Sequence, residues 1–81
     1  MTRIDPAAAS LDVKRTAMLL RDARAVLRRV DVLMATASAV DDPTVADIAA
    51  LRTDAEHLVA QLARREGSQQ RRARDAVRRA R

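Results

Sequence analysis

The sequence predicts an all-α protein, an antiparallel helical hairpin with a short basic C-terminal helix or tail, which completes a bundle by oligomerisation. Apolar residues recur every three or four positions over two long stretches, the period of a helix with one buried side. An Asp-Pro pair precedes each stretch, at Asp5-Pro6 and at Asp42-Pro43. Positive charge is concentrated after Gly67. The predicted domains are a hairpin over residues 1–66 and an arginine-rich segment over residues 67–81.

The first helix is predicted over residues 6–39. Asp5 is its expected N-cap and Pro6 its first helical residue, a position that tolerates proline because its N–H would have no helical partner. Two adjoining seams make an apolar stripe as wide as a bundle helix needs. One seam consists of Val13, Ala17, Leu20, Ala23, Leu27, Val30, Met34 and Ala37, and the other of Leu19, Ala23, Val26, Val30, Leu33, Ala37 and Val40.

The second helix is predicted over residues 43–66. Asp42 is the expected cap, Pro43 the first helical residue and Gly67 the C-terminal cap. The short connection makes the helices antiparallel neighbours. At ~1.5 Å per residue they measure ~50 Å and ~35 Å, so the first helix overhangs. Its overhanging apolar residues then need cover from the C-terminal segment, a second subunit or a partner; they are Leu11, Val13 and Met18.

Arg52 interrupts an apolar seam of the second helix. Its expected partner is Glu56, one helical turn further on, with an acid of another subunit as the alternative in an oligomer.

The apolar side chains are too small for a stable solitary hairpin. Of the 39 apolar residues 18 are alanine, and the chain has no Phe, Tyr or Trp. Because a chain of this size buries a modest share of its surface, we expect a homo-oligomer. The residues predicted to form the core or the oligomer seam are Leu20, Ala23, Leu27, Val30, Met34, Ile48, Ala55, Leu58 and Leu62.

The C-terminal segment is predicted to bind an anion. Residues 1–65 carry a net charge of +1, so +4 of the total of +5 lies in the last sixteen residues. Arginine forks bind phosphate in a bidentate way, which favours nucleic acid, with an acidic protein surface or a merely solvated tail as alternatives. The segment is either disordered or a third helix ordered by contact. The predicted binding residues are Arg71, Arg72, Arg74, Arg78, Arg79 and Arg81.

The composition argues against an enzyme. There is no cysteine, one glycine and one histidine, so no thiolate site, phosphate-binding glycine loop or histidine pair is available. His57 is expected to be a solvated side chain, and no catalytic, cofactor or metal site is predicted. The longest charge-free stretch, residues 32–40, is far shorter than the ~20 residues that span a bilayer. A cytoplasmic protein is expected.

The predicted function is therefore that of a small non-enzymatic adaptor that self-assembles through its hairpin and binds nucleic acid through its arginines. One alternative is a structural or assembly subunit of a larger complex such as a phage particle, as a scaffold, head-completion or lining protein. Another is a small inhibitor that docks an amphipathic hairpin on a protein target.

Overall fold

Two long helices pack antiparallel in the computed structural model, which describes residues 6–80. Helix α1 spans Pro6–Ala39 and helix α2 spans Val45–Ala80. The Cα atoms extend over 60 × 18 × 14 Å, and residues 6–80 contain no β-strand. The predicted helical hairpin is confirmed, as are the bounds of the first helix. Asp5, the predicted N-cap of the first helix, and Arg81, one of the predicted binding residues, lie outside the described residues.

A two-hydrogen-bond cap ends α1. The Asp42 N–H donates to the Ala37 carbonyl at 2.9 Å, and the Asp41 N–H donates to the Ser38 carbonyl at 3.2 Å. This is the Schellman arrangement, in which the chain turns through one left-handed residue. That residue is Asp41, with φ of 52°. A non-glycine residue therefore occupies the left-handed position that is usually glycine in caps of this kind.

Asp42 caps the start of α2, as predicted. Its Oδ1 accepts the Thr44 N–H at 2.9 Å and the Thr44 hydroxyl at 2.6 Å. The Val45 N–H donates to the Asp42 carbonyl, which closes a tight first turn before regular helical bonding begins. The helix proper thus starts at Val45, two residues after the predicted start at Pro43.

The predicted end of the second helix at residue 66 is wrong, because α2 continues through Gly67 to Ala80. Gly67 has no positive φ and is not a cap. A glycine inside a helix costs about 1 kcal/mol relative to alanine. Two factors offset this cost. Most of the residues after Gly67 favour the helix, and some of their side chains pack on α1.

The two helices are nearly equal, so the predicted overhang of α1 is also wrong. They contain 34 and 36 residues, and the second half of α2 lies along the first half of α1. Val13 is half-buried and Thr16 is buried, whereas Leu11 and Met18 remain exposed. In this part of α2 the half-buried residues are the run 66–70, followed by Ala73 and Ala76.

The core consists of two apolar clusters between the helices. One joins Leu20 and Ala23 to Leu62, and the other joins Val30 and Ala37 to Ile48. Among the other predicted seam residues, Leu27, Met34 and Ala55 are half-buried. Leu58 is 48% exposed and does not belong to the core, because the neighbouring Val59 takes the inward position.

Candidate nucleic-acid interface

Three arginine pairs repeat at seven-residue intervals along α2. They are Arg64-Arg65, Arg71-Arg72 and Arg78-Arg79. Seven residues are close to two helical turns, so equivalent members stand about 10.5 Å apart on the same side of an unbroken helix. These six residues are called the arginine ridge here. Its regular spacing depends on the continuity of α2 through Gly67.

The ridge faces solvent. All six of its arginines are exposed, and so is Arg74 beside it. The opposite side of the same helix carries Gln69, Ala73 and Ala76, which are half-buried. The structure therefore brings together five of the six arginines that the sequence analysis predicted, namely Arg71, Arg72, Arg74, Arg78 and Arg79.

Arg64 and Arg65 are binding candidates that the sequence analysis missed. The predicted end of the helix at residue 66 assigned them to a helix terminus, separate from the C-terminal segment. With α2 continuous, they form the first step of the ridge. The seven-residue repeat of the Arg-Arg dipeptide was the available signal, because this interval keeps residues on one side of a helix.

The guanidinium groups of the ridge have no acidic partner within the described part of the chain. No carboxylate of residues 6–80 lies within 4.0 Å of a ridge nitrogen. The Arg71 Nη2 instead donates to the Ser68 hydroxyl at 3.3 Å. Asp75 is exposed and lies between the two arginine rows by helical geometry, so it lowers the positive charge of the ridge by one. The ridge is thus a strip of cationic forks open to an external anion.

The chemistry of the ridge suits phosphate groups. A guanidinium is planar, is always charged and binds phosphate oxygens in pairs. The chain has no aromatic residue on which a base could stack. Contacts from this surface would therefore fall on the sugar-phosphate backbone, which fixes position without reading sequence.

Other surfaces offer less to a ligand. His57 is exposed, and residues 6–80 contain no group of three His, Cys, Asp or Glu side chains placed to hold a metal ion. The outer side of α1 has an open depression lined by Ala25, Arg28, Arg29 and Val32, with no enclosing wall. Neither described helix has an apolar stretch of the length needed to cross a membrane.

The arginine ridge, which could bind an anionic ligand, is therefore the candidate binding surface of residues 6–80. No family model, curated protein or solved structure matches this chain.

Proposed function

We propose that this protein is a non-enzymatic, cytoplasmic helical adaptor that self-associates through its hairpin and binds nucleic acid through the arginine ridge. The observation that carries the binding proposal is the alignment of six exposed arginines on one helix, without an acidic partner among residues 6–80. The packing of this half of α2 on α1 supports the proposal, because arginines held on a preformed helix lose less freedom on binding.

Nucleic acid is the polyanion that fits this surface best. Its charges form a regular row, as the ridge arginines do, and each phosphate that is neutralised releases a counterion. With four to six phosphates contacted, the affinity should fall by about 10²–10³ between 50 and 200 mM salt. An acidic protein surface would present fewer charges in a less regular row and would give a shallower salt dependence.

The test is binding of a labelled DNA duplex and of an RNA hairpin, measured by fluorescence anisotropy at ~50 and ~200 mM salt. A ridge variant replaces Arg71, Arg72, Arg78 and Arg79 with glutamine. A control variant replaces four arginines of α1 with glutamine and so removes the same charge; they are Arg15, Arg21, Arg24 and Arg28. Circular dichroism checks that both variants keep their helices.

The proposal predicts that the ridge variant loses most of its affinity and its salt dependence, while the control keeps both to within a few-fold. Asp75→Asn should bind a few-fold more tightly, because it removes the one carboxylate within the ridge. If the ridge and control variants lose affinity equally, net charge alone accounts for the binding. Absence of binding by the unaltered protein would contradict a nucleic-acid partner.

A further inference from the structure

Ten large apolar side chains of residues 6–80 are 46–69% exposed, and six of them lie next to the inward-facing rows of the two helices. They are 48–69% exposed and are called the apolar flank here: Leu19, Val26 and Leu33 on α1, Val40 directly after its end, and Leu51 and Leu58 on α2. Members on each helix are seven residues apart, the spacing that keeps side chains in one row. On α2 the same row continues with Arg65, Arg72 and Arg79 of the arginine ridge, so the uncovered apolar surface ends at Leu58.

All six side chains lie on the same side of the hairpin. Leu19 and Leu33 directly precede Leu20 and Met34, which face α2. On α2, Leu58 likewise precedes the inward-facing Val59. Seen from one end of an antiparallel pair, one helix turns clockwise along its chain and the other anticlockwise. The residues that come directly before the inward-facing ones therefore lie on the same side of the hairpin on both helices.

The opposite side of the hairpin is polar. Arg52 reaches across it to Asp31 and also pairs with Glu56 of its own helix. A second protein surface that avoids burying these charges must therefore approach from the apolar flank. The hairpin is amphipathic about its own long axis, as one layer of a four-helix bundle is.

Two charges border the apolar flank at its outer edges. By helical geometry Arg29 lies at the α1 edge and Asp54 at the α2 edge. The contact between Asp31 and Arg52 sets the register of the helices, and it places Arg29 and Asp54 at the same height along the hairpin. Both are exposed, and neither pairs with an opposite charge among residues 6–80.

We propose that a second copy of this chain docks on the apolar flank with both interhelical turns at the same end of the dimer. The inference rests on the self-association part of the proposed function and specifies its interface. In this orientation α1 of each copy packs on α2 of the other. Arg29 of one copy then faces Asp54 of the second copy, and the two-fold axis makes this contact twice.

The reversed orientation, with the turns at opposite ends, fits the charges poorly. Centring the two apolar flanks on each other would stack α1 on α1 and α2 on α2. Arg29 would then oppose Arg29, and Asp54 would oppose Asp54. Like charges placed opposite each other weaken an interface and favour the alternative arrangement.

The interface is tested first by sedimentation equilibrium of the full chain. The expected mass is about 18 kDa, twice the 8.9 kDa of one chain. Leu33→Asp should raise the dimer dissociation constant at least tenfold and keep its helicity, because Leu33 is not a core residue. The matched control is Val32→Asp, which alters a more exposed apolar residue outside the flank and should leave the dimer intact. A monomer at all concentrations, or equal effects of the two substitutions, would overturn the proposal.

The orientation is tested by charge reversal at the edges. Arg29→Asp and Asp54→Arg should each weaken the dimer about tenfold, because two attractive contacts become repulsive. The double variant R29D/D54R should restore the dimer. Failure of the double variant to restore it would exclude the proposed orientation.

The interface and the arginine ridge fail separately. Leu33→Asp and Val32→Asp change the net charge by the same amount, so a difference in nucleic-acid binding between them reports on the dimer and not on charge. Loss of the dimer with binding retained would reject this interface and leave the ridge standing. An intact dimer that does not bind nucleic acid would reject the ridge and leave the interface standing.

Discussion

Arg52 on α2 donates its Nε–H to Asp31 Oδ1 on α1 at 2.5 Å, and among residues 6–80 this is the one side-chain hydrogen bond between the helices. The hydrogen bond and the charge of Asp31 raise the pKa of Arg52, and Glu56 at 3.5 Å adds to the effect. On α1, Asp31 directly follows Val30 of the cluster nearer the turn, and on α2, Arg52 lies about one turn after Ile48 of the same cluster. The pair therefore fixes how the helices align beside this cluster.

Removing this ion pair should cost little stability. In a double-mutant cycle of Asp31→Ala and Arg52→Ala, we expect a small favourable coupling, because both side chains are close to half exposed. Urea unfolding at a fixed protein concentration measures it. The coupling should shrink in ~1 M salt, which screens exposed charges. A coupling that is zero at low salt would contradict the contact.

The cap of α2 should make stability depend on pH. Hydrogen bonds from the Thr44 hydroxyl and N–H lower the pKa of Asp42. A carboxyl with a lower pKa in the folded chain stabilises it above the unfolded-state pKa of about 3.9, and loses this effect as the pH falls through the lowered value. Melting curves of the protein and of Asp42→Ala should therefore converge under acidic conditions. A difference that is unchanged from pH 6 to pH 2 would exclude the ionised carboxylate as its cause.

Asp41→Gly should stabilise the hairpin. Asp41 holds a left-handed conformation at the end of α1, which is strained for a residue with a Cβ. Glycine relieves this strain, so we expect a gain of about 0.5–1 kcal/mol in the free energy of unfolding. Ser38→Gly, within the last turn of α1, is the control and should lose about that amount. Destabilisation by Asp41→Gly would mean that the cap is not formed.

The sequence predicts the hairpin itself well, because its signals are local. The steps of three and four between Val13 and Ala37 define the buried side of α1, and Asp42-Pro43 marks the start of the next helix. The partner of Arg52 is harder to foresee. Glu56 follows from the spacing within one helix, whereas Asp31 depends on the register between two helices, which no local pattern fixes.

Residues 67–80 are helical because of tertiary packing and not because of their local helix propensity alone. Gly67 after an apolar helical stretch resembles a helix end, and the residues after it have a thin apolar side. Packing of Ala73 and Ala76 along α1 outweighs the cost of the glycine. The ridge that includes Arg64 and Arg65 follows from this continuity, so the sequence analysis found only part of it.

Gly67→Ala should stabilise the protein by about 0.5–1 kcal/mol, since alanine is the better helix former and the glycine is inside α2. A Cβ at this position would meet only the end of the Arg71 side chain, at 3.7 Å. The measurement is the urea midpoint of the variant at the same protein concentration. A loss of stability would instead indicate a left-handed glycine cap and a helix that ends at residue 66.

The proposed binding mode requires the arginines of residues 67–80 to be held on a preformed helix. The ¹³Cα chemical shift of each residue in this range, measured by NMR on the full chain without nucleic acid, tests this requirement. We expect helical shifts that continue without interruption from Leu62 through Gly67 to Ala80. Random-coil shifts beginning at Gly67 would contradict a preformed helix and would show that these arginines belong to a flexible tail.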